Sequence, residues 1–143
     1  NILAIGSKTP ENPWHIGIRN PEVSGGNPVA SLYVRNKAMV TSGINERFFM
    51  ENGIRYHHIL DPLSGYPSNT DILSVSILSQ NSMEADALST TLFLMGTEKA
   101  LAFIETVPGA DAIIIDKARR IHTSTGLKDK VSIRDNRYTR AAD

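Results

Sequence analysis

The stretch Asn81-Ser82-Met83-Glu84-Ala85-Asp86-Ala87-Leu88-Ser89-Thr90-Thr91-Leu92-Phe93-Leu94-Met95-Gly96 reads as a helix with both ends marked. Asn81 can cap the N-terminus, with Glu84 three residues on reaching back as in a capping box. Gly96 supplies the left-handed residue that commonly ends a helix. At 100° per residue, Leu88, Thr91, Leu92 and Met95 share one face, and Met83, Asp86, Thr90 and Phe93 the opposite one. A helix apolar on nearly every side is expected to be buried. Asp86 then becomes a buried carboxylate in need of a counter-ion, with the Thr90 hydroxyl one turn further on.

Working outward, the segments before this helix read as strands. Residues 2–5 form a short apolar run with the character of a buried strand, and residues 15–19 alternate. Residues 30–34 and 38–41 suggest a hairpin turning at Arg35-Asn36-Lys37. Residues 48–50 and 54–60 flank Glu51-Asn52-Gly53, and Asn-Gly is the strongest short hairpin signal. Residues 72–78 are apolar and β-branched enough for a central strand. After the opening helix, Thr97 is placed to cap a second one over residues 98–106. Residues 112–115 and 120–123 then make a last hairpin. Hairpins with two helices inserted together predict an α+β fold with a mainly antiparallel sheet.

At 143 residues, one domain is expected. The absence of cysteine excludes disulfides and thiolate metal sites. Fifteen basic and fifteen acidic residues cancel, which argues against a nucleic-acid partner. Residues 116–140 nonetheless hold eight Lys/Arg against three Asp, as a solvated surface segment would. No apolar run reaches the roughly 18 residues of a membrane span. The chain starts at Asn1, inside an apolar run, which suggests a fragment of a longer protein.

Three constellations carry potential chemistry. Asp86 and Thr90, at i and i+4, offer oxygen ligands suited to Mg²⁺, although Asp86 can equally be a first-turn residue stabilised by the helix dipole. Tyr56-His57-His58-Ile59-Leu60-Asp61-Pro62-Leu63-Ser64-Gly65-Tyr66-Pro67 runs a strand into a loop. Neighbouring strand residues face opposite ways, so only one of His57 and His58 can serve a given site. Ser42-Gly43 is a place where backbone can approach a ligand, and the nearby Arg47 can meet a phosphate or pair with Glu46 or Glu51. A P-loop, a Rossmann fingerprint and a Gly-x-Ser-x-Gly elbow are absent from the sequence.

Ser42-Gly43, Arg47-Phe48-Phe49, Arg55 to Pro62, Gly65-Tyr66-Pro67 and Ala85-Asp86-Ala87-Leu88-Ser89-Thr90 stand in the order seen in FAD:protein FMN transferases of the ApbE type. The chain resembles the C-terminal half of such a protein over residues 1–125, with an ApbE-like, T-fold-like architecture implied. The resemblance implies Mg²⁺ and FAD, with FAD as the substrate. FMN would pass to a Thr or Ser hydroxyl of a target protein with release of AMP. By the same resemblance, Asp86 and Thr90 match the metal pair and His58 the motif histidine, a candidate catalytic residue. Ser42, Gly43, His58, Ile59 and Asp61 match flavin-site positions, with Asp61 ordering its loop. His57 is left as a bystander. Ser64 stands where the family usually has Thr, and both carry a hydroxyl.

Two other activities fit the same pattern: an FAD pyrophosphatase giving FMN and AMP, and a non-catalytic flavin-binding protein. The resemblance further implies a missing N-terminal half, without which the fragment is expected to be inactive. It also implies a location at the extracytoplasmic side of the cytoplasmic membrane, often through a lipid anchor.

Overall fold

Residues 72–79 form a strand buried at all eight positions, and the other elements are laid around it. The structure, a computed structural model, describes residues 1–23 and 25–142. The strands before it are β1 (Ile2–Ala4), β2 (Trp14–Ile18), β3 (Ala30–Val34), β4 (Lys37–Gly43), β5 (Phe48–Glu51) and β6 (Ile54–His57). The buried strand is β7 (Ile72–Ser79), and helices α1 (Ser82–Met95) and α2 (Thr97–Ile104) follow it. The chain closes with β8 (Asp111–Asp116), β9 (Arg120–Thr123), β10 (Ser132–Ile133) and β11 (Thr139–Arg140).

The main sheet runs β1-β4-β7-β8-β9-β11, a second runs β10-β3-β2, and β5-β6 form a separate pair. Pairing is antiparallel except between β11 and β9. The α+β expectation therefore holds. α1 and α2 form the connection between β7 and β8, which are neighbours in the sheet.

Both faces of the main sheet are covered, which is why β7 is buried at every position, Ser74, Ser76 and Ser79 included. On one face Ile72, Val75 and Ile77 of β7 and Ile114 of β8 meet Leu92 and Phe93 of α1 and Ile104 of α2. On the other, Leu73 and Leu78 of β7 and Ile113 and Ile115 of β8 meet Ile16, Ile18 and Leu32 of the smaller sheet.

Several local expectations change. Residues 30–34 and 37–43 are both strands, but they do not pair with each other. β3 joins β2 and β10, whereas β4 joins β1 and β7. Asn36 lets the chain turn at φ 51° and accepts a bond from Gly6 N at 2.7 Å, so it ties the crossing between sheets. β1 is an edge strand in which only Ala4 is buried, not a buried strand. The Asn52-Gly53 hairpin forms as expected, with Glu51 opposite Ile54, but β6 ends at His57.

In α1, Asn81 accepts bonds from Met83 N and Glu84 N, as a cap should. Glu84 does not close the box directly. It accepts from Ser79 Oγ at 2.8 Å, and Ser79 Oγ in turn accepts from Asn81 N at 3.3 Å. α2 starts one residue early, with Asp71 Oδ1 rather than Thr97 accepting at its N-terminus (Thr97 N, 3.0 Å).

The buried stripe of α1 is Ala85, Ser89, Leu92 and Phe93. That is about a quarter turn away from the Leu88, Thr91, Leu92 and Met95 face of the helical wheel. The small Ala85 and Ser89 let the helix backbone settle against the sheet, and Phe93 is drawn in with them. Asp86 consequently lies on the exposed side of the seam, not inside the protein.

Candidate functional site

β6 ends at His57, and the two histidines diverge there. His57 is 8% exposed, and its Nε2 lies 3.1 Å from Ser68 O. A carbonyl only accepts, so Nε2 carries the proton and Nδ1 is a bare acceptor, buried without a partner. The ring stands edge-on to Phe93, with centroids 5.8 Å apart. Burial pushes its pKa below the ordinary histidine range, against the bond to Ser68.

His58 is exposed, and both its backbone N and its Nδ1 lie 3.1 Å from Arg47 O. Nδ1 is therefore the protonated nitrogen of neutral His58, and the Nε2 lone pair is left free. The Arg47 guanidinium has no hydrogen-bonding or ion-pairing partner among the described residues. Glu46, a candidate partner, pairs with Arg19 at 3.5 Å instead.

Asp61 is fully engaged in shaping its loop. Oδ1 accepts from Leu63 N at 2.9 Å and Oδ2 from Ser64 Oγ at 3.1 Å. Its backbone N donates to Tyr66 O at 2.9 Å, and Gly65 N donates to its carbonyl at 2.8 Å. Gly65 makes the turn at φ 71°. The Ser64 hydroxyl bonds through its oxygen chemistry alone, a role that threonine shares. Ile59, expected at the flavin, is 4% exposed and packs in the core beneath α1.

On the exposed side of α1, the Asp86 carboxylate has no partner among the described residues. It borders an open cavity of about 410 Å³ with Asn1, Ile2, Leu3, Ser82 and Met83. One turn on, Thr90 Oγ1 lies 3.3 Å from Ser42 Oγ, which lies 2.7 Å from Ser89 Oγ. Gly43 is buried, and a Cβ there would lie 3.2 Å from Ser74 Cβ and 3.3 Å from Leu73 O. Its missing side chain thus serves the packing of β4 on β7, not an open approach to a ligand.

The structure brings Ser42 and Thr90 together. It makes no hydrogen bond between these residues and the His58–Asp61 loop. No group of three His, Cys, Asp or Glu suited to a metal occurs among the described residues. The donors present, one unpartnered carboxylate and the hydroxyl one turn on, nevertheless fit Mg²⁺. That ion binds through one or two carboxylates and takes its remaining ligands from water and phosphate.

Two features go beyond the residues that the sequence singles out. Ser89 stands in the Ala85–Thr90 motif without a role of its own, although a serine on the buried face of a helix interior is itself a signal, since its hydroxyl must find a partner. The second is a cavity of about 460 Å³ lined by His57, Arg55, Tyr66, Lys117 and the apolar Ile44 and Ile72. It is assembled from segments far apart in sequence, so no local pattern announces it.

Known proteins resemble this chain in sequence and fold. The ApbE family profile matches residues 1–114. The FAD:protein FMN transferase of Treponema pallidum is 42% identical over 146 residues, covering 96% of this chain and 40% of the relative. That of Klebsiella pneumoniae is 38% identical, covering 87% and 40%. Among solved structures, the ApbE protein of Thermotoga maritima superposes with a TM-score of 0.77 at 37% identity, over 86% of this chain and 40% of that one. The flavin transferase ApbE of Vibrio cholerae gives 0.70 at 31%, over 87% and 40%. The chain spans about 40% of the length of these relatives. The profile match covers most of the chain and the fold agrees with both structures, so the chain belongs to the ApbE family.

Proposed function

We propose that this chain is the C-terminal portion of an Mg²⁺-dependent flavin transferase that moves FMN from FAD onto a Thr or Ser hydroxyl of a target protein. The acceptor oxygen attacks the FMN phosphorus, the bond to the AMP oxygen breaks, AMP leaves, and the hydroxyl proton passes to a base. Asp86 and Thr90 would hold the metal, which when bound supplies charge neutralisation at the phosphates. The observation that carries this reading is the unpartnered Asp86 carboxylate beside the Thr90 hydroxyl in a chain of this family.

The chain's own groups take the remaining roles. His58, oriented by Arg47 O, presents Nε2 as a proton acceptor or as a donor to phosphate. The free Arg47 guanidinium is a cation suited to a phosphate oxygen. Asp61 and Ser64 keep the loop in shape. Phosphoryl transfer asks a protein chiefly for such positioning and charge stabilisation.

The test is incubation of the intact protein with FAD, Mg²⁺ and an acceptor domain. Covalent flavin on the acceptor with stoichiometric AMP is expected, and Asp86→Ala should lower turnover by about 100-fold or more. Free FMN without labelling would make the protein an FAD pyrophosphatase. Flavin binding without turnover of either kind would make it a binding protein. The same reading places the protein at the extracytoplasmic face of the cytoplasmic membrane, which cell fractionation tests. No helix among the described residues is long and apolar enough to cross a membrane.

A further inference from the structure

A hydroxyl has one proton to give, so a chain of hydroxyls that ends on a carbonyl can run in one direction only. Ser89 Oγ lies 2.9 Å from Asp86 O, and the carbonyl can only accept, so the Ser89 proton is committed there. The 2.7 Å contact between Ser42 and Ser89 is then donated by Ser42. With that proton also committed, the 3.3 Å contact between Thr90 and Ser42 is donated by Thr90. The sequence of donors is Thr90, Ser42, Ser89, ending at the Asp86 carbonyl. The Thr90 proton points into the protein, and its lone pairs are left for the exposed side, where the Asp86 carboxylate stands unpartnered.

We infer that Ser42 and Ser89 are positioning residues that hold Thr90 as a pure lone-pair donor to a hard cation, an inference that rests on the proposed metal role of Asp86 and Thr90. Ser89 is 0% exposed, so it acts only through Ser42 and touches no ligand. Without the Ser89 hydroxyl, Ser42 loses its acceptor and its proton turns toward Thr90, which then spends a lone pair inside the protein. Without the Ser42 hydroxyl, the Thr90 proton is released to compete with a cation for the same oxygen. A hard cation tolerates neither arrangement well, because it needs oxygen lone pairs directed at it.

Mn²⁺ serves as the probe, titrated into the intact protein without FAD and followed by electron paramagnetic resonance. Ser89→Ala and Ser42→Ala should each weaken Mn²⁺ binding about three- to tenfold, the worth of one net hydrogen bond. Ser42→Thr, which keeps the hydroxyl, should bind as the parent does. The Ser42→Ala/Ser89→Ala double variant should be no weaker than either single one, because both interrupt a single chain of bonds. Alanine favours helix, so Ser89→Ala is expected to fold.

A role in structure alone would lower the thermal midpoint of both alanine variants and leave Mn²⁺ affinity unchanged. If Asp86→Ala and Thr90→Ala weaken Mn²⁺ binding while Ser42→Ala and Ser89→Ala do not, the relay is overturned and the metal role stands. If Asp86→Ala and Thr90→Ala also leave affinity unchanged, the metal role falls and the relay falls with it.

Discussion

His57 and His58 show how little separates a core residue from a site residue. Strand alternation required that they face opposite ways, and that much is legible from sequence. Which one turns inward depends on Phe93 and Ser68, which lie 36 and 11 positions from His57. The buried, singly bonded imidazole of His57 has a consequence for stability. Its folded pKa lies below the ordinary value of 6.5, chiefly through burial, so the unfolded chain takes up the proton first as pH falls. The contribution of neutral His57 is full above pH 6.5 and is lost as pH falls through the lower folded value. Urea midpoints should therefore decline between pH 7 and pH 5. His57→Phe should flatten that decline, at a cost of about 1 kcal/mol at pH 7 because Ser68 O loses its donor. An equal pH slope in the variant would show that another group titrates.

At the scale of elements, α1 is the instructive case. Its ends were written in Asn81 and Gly96, and its length follows from them. The buried face was not written there, because both sides carry large apolar residues and a helical wheel ranks them alike. The small Ala85 and Ser89 decide the matter by admitting the sheet, and Phe93 becomes fully buried while Met83 stays 77% exposed. Phe93→Ala should cost about 3–5 kcal/mol in denaturant unfolding. Met83→Ala should change stability by less than about 0.5 kcal/mol. Similarly small losses at both positions would mean that α1 buries the Leu88, Thr91, Leu92 and Met95 face instead. β3 and β4 teach the same lesson: each strand was visible, and so was the turn at Asn36, but the turn leads from one sheet to another instead of pairing its neighbours.

Across the whole molecule, a network that runs from buried Asn20 and Tyr138 to exposed Glu22 and Arg119 clamps residues 20–22 to the segments around 119 and 138. Glu22 accepts Arg119 Nε and Nη2 at 2.8 and 3.0 Å, and Tyr138 donates to its Oε2 at 2.7 Å. Tyr138 also lies 3.1 Å from Asn20 Oδ1. The bond to Arg119 chiefly holds Glu22 below its ordinary pKa of 4.5, with Tyr138 adding to it against the cost of burial. A carboxylate depressed in this way stabilises fully above pH 4.5 and loses its contribution as pH falls through the folded value. Glu22→Gln should therefore flatten the loss of stability on acidification below pH 4.5. Tyr138→Phe should cost about 1–3 kcal/mol at neutral pH by chemical denaturation, since a charged acceptor loses its donor. An unchanged midpoint in Tyr138→Phe would mean that the clamp is not formed in solution. Sequence by itself determined the order of elements from β1 to β9, the helix ends, the Asn52-Gly53 hairpin and the run of motifs that marks the family. Each is encoded by residues within a few positions of one another, where propensity, capping and turn chemistry act. Tertiary structure alone decided which strands pair, which face of α1 is buried, and that Ser42 meets Ser89 and Thr90. Those outcomes depend on burial between segments tens of residues apart, and no local window of sequence records what will be brought against it.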